Sequence, residues 1–340
     1  MRCVGNAMNP ASRRRQALLR RTLAALVAIA SIRAFAADTA AAETAVALEL
    51  CVLVGAPGEP SYAERFARAA ATWAEAARRG GGRVTTIGLE PGNDDRANLE
   101  AWLHARRTGS DPPLWLVYLG HGSYDGRDAR LNLRGPDVTA AELATWLRDH
   151  QRPIVLVHGG SAAAPFLAAL SGPGRIIISA TRSGHEVNYA RFGEYFARAV
   201  ASPEADIDQD GQASVLESFV TAARQVQQFY DENGRLATEH ALIDDNGDGQ
   251  GTPGDWFRGT RSTRRAESGA PADGERARLV ALVPPENELQ LSAAQRERRD
   301  QLEDELTALR TRRDTMPAPE YDTRLEHILR ELGRIYGMDS

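Results

Sequence analysis

The chain has 340 residues, with 46 acidic against 41 basic ones, a formal net charge of −5, and 42% hydrophobic residues. A length of this order suits one main domain with an appendage, and the acidic balance argues against a nucleic-acid partner, which needs a basic face. Every basic residue is arginine, which excludes chemistry that depends on lysine, such as Schiff-base formation or a lysine-closed phosphate loop.

Residues 1–36 carry seven arginines and no acid, with an apolar stretch from Leu23 to Ile32 and then Ala34-Phe35-Ala36 before Ala37. A basic start, a short apolar run and an A-x-A site predict a secretory signal over 1–36. The apolar run is too short for a bilayer, so no stable membrane span is expected after cleavage, and the protein is expected to be exported to a periplasmic or extracellular space. Ser12-Arg13-Arg14 has part of a twin-arginine signal without its apolar residue, which leaves the export route open. Removing the signal leaves 34 basic against 46 acidic residues, about −12. Cys3 departs with it, so Cys51 stands alone in the apolar run Leu48 to Val54. No intrachain disulfide can form, and Cys51 reads as a small buried hydrophobe.

Five apolar runs follow: Val46 to Val54, Val84 to Ile87, Leu114 to Leu119, Ile154 to Val157 and Ile176 to Ala180. Between them Tyr62 to Arg79, Ala97 to Arg107, Ala140 to Asp149 and Ala162 to Leu170 show helical spacing. This alternation predicts an α/β domain over 45–201, a mostly parallel sheet sandwiched by helices. In such sheets chemistry collects at the carboxyl ends of the strands.

Two of those ends are polar. The third run leads into Gly120-His121-Gly122-Ser123, and the fourth into His158-Gly159-Gly160-Ser161 before a helix. With Ile178-Ser179-Ala180-Thr181-Arg182-Ser183-Gly184-His185-Glu186 and Arg191-Phe192-Gly193 further on, the chain resembles the legumain and caspase-like cysteine peptidases over about Val46 to Val200. That resemblance implies a caspase/legumain-like sheet and a His-Cys dyad at neighbouring strand ends. His121 and Gly122 match the histidine half; serine, Ser161, stands where the thiol belongs. An alcohol needs its proton removed during attack, whereas a thiol paired with histidine ionises near neutral pH. The core is therefore expected to lack peptidase activity. The alternatives are a hydrolase with His121 as base, Ser161 as nucleophile and the amides of Gly122 and Ser161 as oxyanion donors, or a module that holds a peptide or protein ligand in the degenerate cleft without cutting it. Gly159-Gly160-Ser161-Ala162-Ala163 also approximates the nucleophile elbow of α/β-hydrolases, with His185 and His240 downstream, but pattern and residue order fit poorly.

From Asp206 to Glu217 the chain reads as a twelve-residue loop with oxygen ligands at alternating places: Asp206, Asp208, Asp210, the carbonyl of Gln212, Ser214 and a closing Glu217, with Gly211 at the bend. This is EF-hand spacing, and it predicts Ca²⁺, which takes six to eight hard oxygens. Apolar faces on Arg191 to Val200 and Val215 to Tyr230 supply the flanking helices. A second candidate has Asp244, Asn246, Asp248 and, at the closing place, Asp255. Its exit holds Gly251, Pro253 and Gly254, which break a helix. The calcium segment is expected over 202–258, a linker over 259–276, and over 277–340 a short strand, Leu279 to Val283, with a helical hairpin. The hairpin seam is read as Leu302, Leu306 and Leu309 against Leu325, Ile328, Leu329, Leu332 and Ile335, turning at Pro317 and Pro319.

Overall fold

The computed structural model describes residues 48–90, 94–108, 113–264, 271–285 and 291–337. The expected signal over 1–36 lies outside the described residues, as do 265–270 of the expected linker.

The chain begins β1 (Glu49–Val54), α1 (Pro60–Arg79), β2 (Arg83–Ile87), α2 (Asp95–His104), β3 (Leu114–Leu119). A small ribbon follows, β4 (Gly122–Tyr124), β5 (Ala129–Leu131) and β6 (Val138–Thr139), leading into α3 (Ala140–Leu147). Then come β7 (Ile154–His158), α4 (Ala164–Leu170), β8 (Arg175–Ser179), α5 (Phe192–Ala199) and α6 (Val215–Glu232). Short strands β9 (Leu242–Asp244), β10 (Thr252–Pro253), β11 (Phe257–Arg258) and β12 (Arg261–Ser262) precede the hairpin α7 (Ala293–Thr311) and α8 (Ala318–Ile335).

The main sheet has the order β10-β9-β8-β7-β3-β1-β2. The five strands from β8 to β2 are parallel, β9 pairs antiparallel with β8, and β10 at the edge pairs antiparallel with β9. Side chains alternate across a strand, so Leu50, Val52 and Val54 face α1, α5 and α6, while Cys51 and Leu53 face α2, α3 and α4. Both faces are covered, which is why the strands read as continuous apolar runs. Helix α1 starts on Pro60, whose missing N–H costs nothing in a first turn, and buries Phe66, Ala70, Trp73 and Ala77. Burial pushes the Cys51 thiol far up, which keeps it protonated and inert.

Three expectations change. The segment 202–258 does not stand apart from the sheet domain, because β9 pairs with β8 and carries β10 with it. Three-residue strands next to Asn/Asp/Gly turns leave no periodic signal, so only the open edge of β8 reveals them. Leu279 to Val283 is not a strand; its one sheet-like feature is an isolated bridge between Ala281 and Ser214. In the hairpin, Leu302, Leu309 and Ile328 are buried, whereas Leu329 is 50% exposed and lies off the seam. Among the described residues no helix is long and apolar enough to cross a membrane.

Candidate functional site

Strands β3 and β7 are parallel neighbours with Tyr118 opposite His158. His121 and Ser161 each lie three residues further on, so they leave the sheet side by side. The Ser161 hydroxyl, 1% exposed, donates to the Gly122 carbonyl and accepts from the Gly122 N–H, each at 3.1 Å. The hydroxyl proton, and one expected oxyanion donor, are thereby engaged within the turn. The His121 ring packs edge-on against Tyr62 at 4.6 Å between centroids, with Phe66 and Tyr189 close by. Burial holds its pKa below the ordinary value, opposed by the Pro57 carbonyl and the Glu59 charge. Among the described residues His121 and Ser161 are not hydrogen-bonded to each other.

Backbone seals the same strand ends. A Cβ on Gly160 would stand 2.2 Å from the Gly120 carbonyl oxygen, and one on Gly159 would stand 2.8 Å from the Gly193 Cα. Ala162 sits at φ 53, in a region L-residues enter at a cost, while its N–H donates to the Glu186 carbonyl at 2.9 Å. His158 points away into the core: it is 1% exposed, its Nδ1 accepts from the Gly160 N–H at 3.3 Å, and its ring meets Tyr118 and Phe166. Burial lowers its pKa to about 3, so the imidazole is neutral. Of the histidines considered for a nucleophile elbow, His185 rests on Tyr124, and the Nδ1 of His240 pairs with Glu186 at 2.6 Å.

The first acidic loop is arranged differently. Oxygens of Asp206, Asp208 and Asp210 all lie within 4.8 Å of one another. The Asp206 carboxylate accepts the N–H groups of Asp210 at 3.1 Å and Gly211 at 3.0 Å, which curls the chain around the acids. Positive φ at Gln209 (61) and Gly211 (95) makes that curl possible; glycine adopts it without steric cost. Ser214 caps α6 by accepting the Glu217 N–H, and the Glu217 Oε2 takes the Ser214 N–H and hydroxyl in return, a capping box. The other oxygen, Oε1, accepts from Ile207 and Asp208 N–H at 2.8 and 3.0 Å. Glu217 is 1% exposed and stands outside the group of three. Burial first, and then the charges of Glu217, Asp210 and Asp206, push the Asp208 pKa up; burial likewise raises Asp210. Hard oxygens of like charge held this close fit a calcium ion, whose charge offsets their repulsion. Asp206, Asp208 and Asp210 are the carboxylates that would hold it, while Glu217, at the expected closing place, bonds through both oxygens to Ile207, Asp208 and Ser214.

The second loop turns on similar bonds, with Asp244 accepting from Gly247 and Gly249 N–H, both at 2.9 Å, Asn246 from Asp248 and Asp248 from Gln250. The structure does not bring Asp255 to close it. That residue is exposed in a 3-10 turn, Gly254–Trp256, and the carboxylates of Asp244, Asp248 and Asp255 form no convergent cluster among the described residues. Two other acids are buried beside Asp244. Asp245 accepts the N–H groups of Gly274, Arg276 and Ala277. Asp273 accepts those of Asp245 and Asn246 and the hydroxyl of Thr252. Residues 271–274 of the expected linker are thus bound to the second loop.

Nothing local marks Glu186 and His240 as partners, or Glu239, which accepts the Arg191 and Phe192 N–H groups at the start of α5. A short acidic or histidine-bearing stretch among polar residues was their only signal.

No protein-family model matches the sequence, and no curated protein matches it. Among solved structures, the chain is similar to the Drosophila initiator caspase Dronc, at 13% identity and a TM-score of 0.40, over 60% of this chain and 81% of that one.

Proposed function

We propose that the protein is an exported calcium-binding protein whose α/β core, of legumain or caspase-like kind, serves as scaffold without peptidase chemistry. The observation that carries the calcium reading is the convergence of Asp206, Asp208 and Asp210 within 4.8 Å, in a loop that ends on a capping glutamate. Calcium at this place ties α5 to α6 and so supports one face of the sheet. The absence of peptidase chemistry is supported by Ser161, whose hydroxyl serves Gly122 at both ends instead of His121. Calorimetric titration of the full chain is expected to show calcium binding with a Kd of about 10⁻⁴ to 10⁻³ M, the range of extracellular modules. Glu217→Gln with Asp206→Ala should abolish the heat. An absence of calcium-dependent heat in the unaltered chain overturns the reading.

A further inference from the structure

The segment 271–283 is a strap with two attachments. At its start, Asp245 in the second loop holds the N–H groups of Gly274, Arg276 and Ala277, while Asp273 reaches back to Asp245, Asn246 and Thr252. At its end, the Val215 N–H donates to the Val280 carbonyl at 2.7 Å and the Leu216 N–H to the Ala277 carbonyl at 3.1 Å, beside the Ser214–Ala281 bridge. Ala277 and Leu282 are fully buried in the core shared with α6. Val215 and Leu216 are in the first turn of α6, whose N–H groups have no partner within the helix, so the strap supplies acceptors that the helix itself lacks.

That same turn is governed by Glu217. Its carboxylate accepts from Ile207, Asp208 and Ser214, so whatever fixes Glu217 fixes the residues to which the strap is tied. We infer that calcium in the first loop locks the strap 271–283 onto the α6 start, making this segment a calcium-controlled latch; the inference rests on the calcium reading above. Calcium on Asp206, Asp208 and Asp210 would fix Ile207 and Asp208, whose N–H groups Glu217 accepts, and through Glu217 the turn that carries Ser214, Val215 and Leu216. The strap then opens less often, and by linkage a loosened strap weakens calcium binding by the same factor that calcium strengthens the strap.

The chain contains its own reporter. Arg276 and Arg278 lie in the strap, and trypsin reaches those bonds only when the strap opens locally. With the full chain, calcium at ten times its Kd or more is expected to slow cleavage after Arg276 and Arg278, read by mass spectrometry, by about tenfold, and Glu217→Gln is expected to lose that protection. Leu282→Ala, which changes no residue of either acidic loop, should speed cleavage and weaken calcium affinity by a matching factor. Asp245→Asn, which releases the other attachment, gives a second measurement should Leu282→Ala fold poorly. If calcium heat is present in the unaltered chain while cleavage at the strap is unchanged, the latch is overturned and the calcium reading stands. If no calcium heat is present, both fall.

Discussion

The strand ends around Ser161 and the loop from Asp206 to Glu217 are both polar, both follow apolar elements, and differ in what their polar atoms do. At the strand ends the Ser161 hydroxyl serves Gly122, His158 serves Gly160 through Nδ1 while its buried Nε2 has no partner among the described residues, and backbone fills the space where a side chain would stand. In the loop, three carboxylates face one another, and burial together with their mutual charge raises the pKa of Asp208 and Asp210. A group already satisfied inside the protein has little left to offer a ligand, whereas uncompensated like charges are lowered in energy by one. The difference separates a packed turn from a loop of converging carboxylates although both carry suggestive motifs.

The sharpest way to break this comparison is Gly160→Ala. Its Cβ would meet the Gly120 carbonyl oxygen at 2.2 Å, and overpacking against backbone costs about 3 kcal/mol. A urea midpoint that does not move would mean that the strand ends hold room for chemistry after all.

Acid offers a second route. The folded state keeps His158 neutral down to about pH 3, whereas the unfolded chain protonates it near 6.5. Its contribution is therefore complete above about pH 6.5 and is lost as the pH falls from there, at roughly 1.4 kcal/mol per pH unit. Stability of the unaltered chain minus that of His158→Asn, measured by denaturant titration between pH 7 and pH 4.5, should shrink with this slope. A flat difference would place His158 in contact with solvent.

The smallest effect is expected from Ser161→Ala. It leaves the buried Gly122 N–H without its partner, which costs about 1–2 kcal/mol, and it should leave ester and peptide turnover at the background rate seen with the unaltered chain. Loss of a measurable hydrolysis rate on this change would restore Ser161 as a nucleophile.

Much of the sheet was legible because its strands are buried on both faces and its helices carry apolar residues at helical spacing; β3 from Leu114 to Leu119 and α3 from Ala140 coincide with their expected starts. Helix α2 starts two residues before the expected Ala97, where the Asp94 side chain caps it by accepting the Ala97 N–H, and ends at His104 rather than Arg107. The short strand β9 was not legible, since three residues cannot display a period. The convergence of Asp206, Asp208 and Asp210 could be read directly from their spacing, because a short loop curls its own side chains together with little help from the rest of the chain.

Sequence by itself determined the alternation of strands and helices, the lone buried thiol of Cys51, and the curl of the first acidic loop, all of which follow from local periodicity and turn chemistry. Tertiary structure alone decided that Ser161 bonds to Gly122, that Asp245 and Asp273 anchor a strap, and that Asp255 stays outside its loop. Those outcomes depend on which groups distant segments bring within 3 Å or so, and hydrogen bonds of that reach leave no pattern in the order of residues.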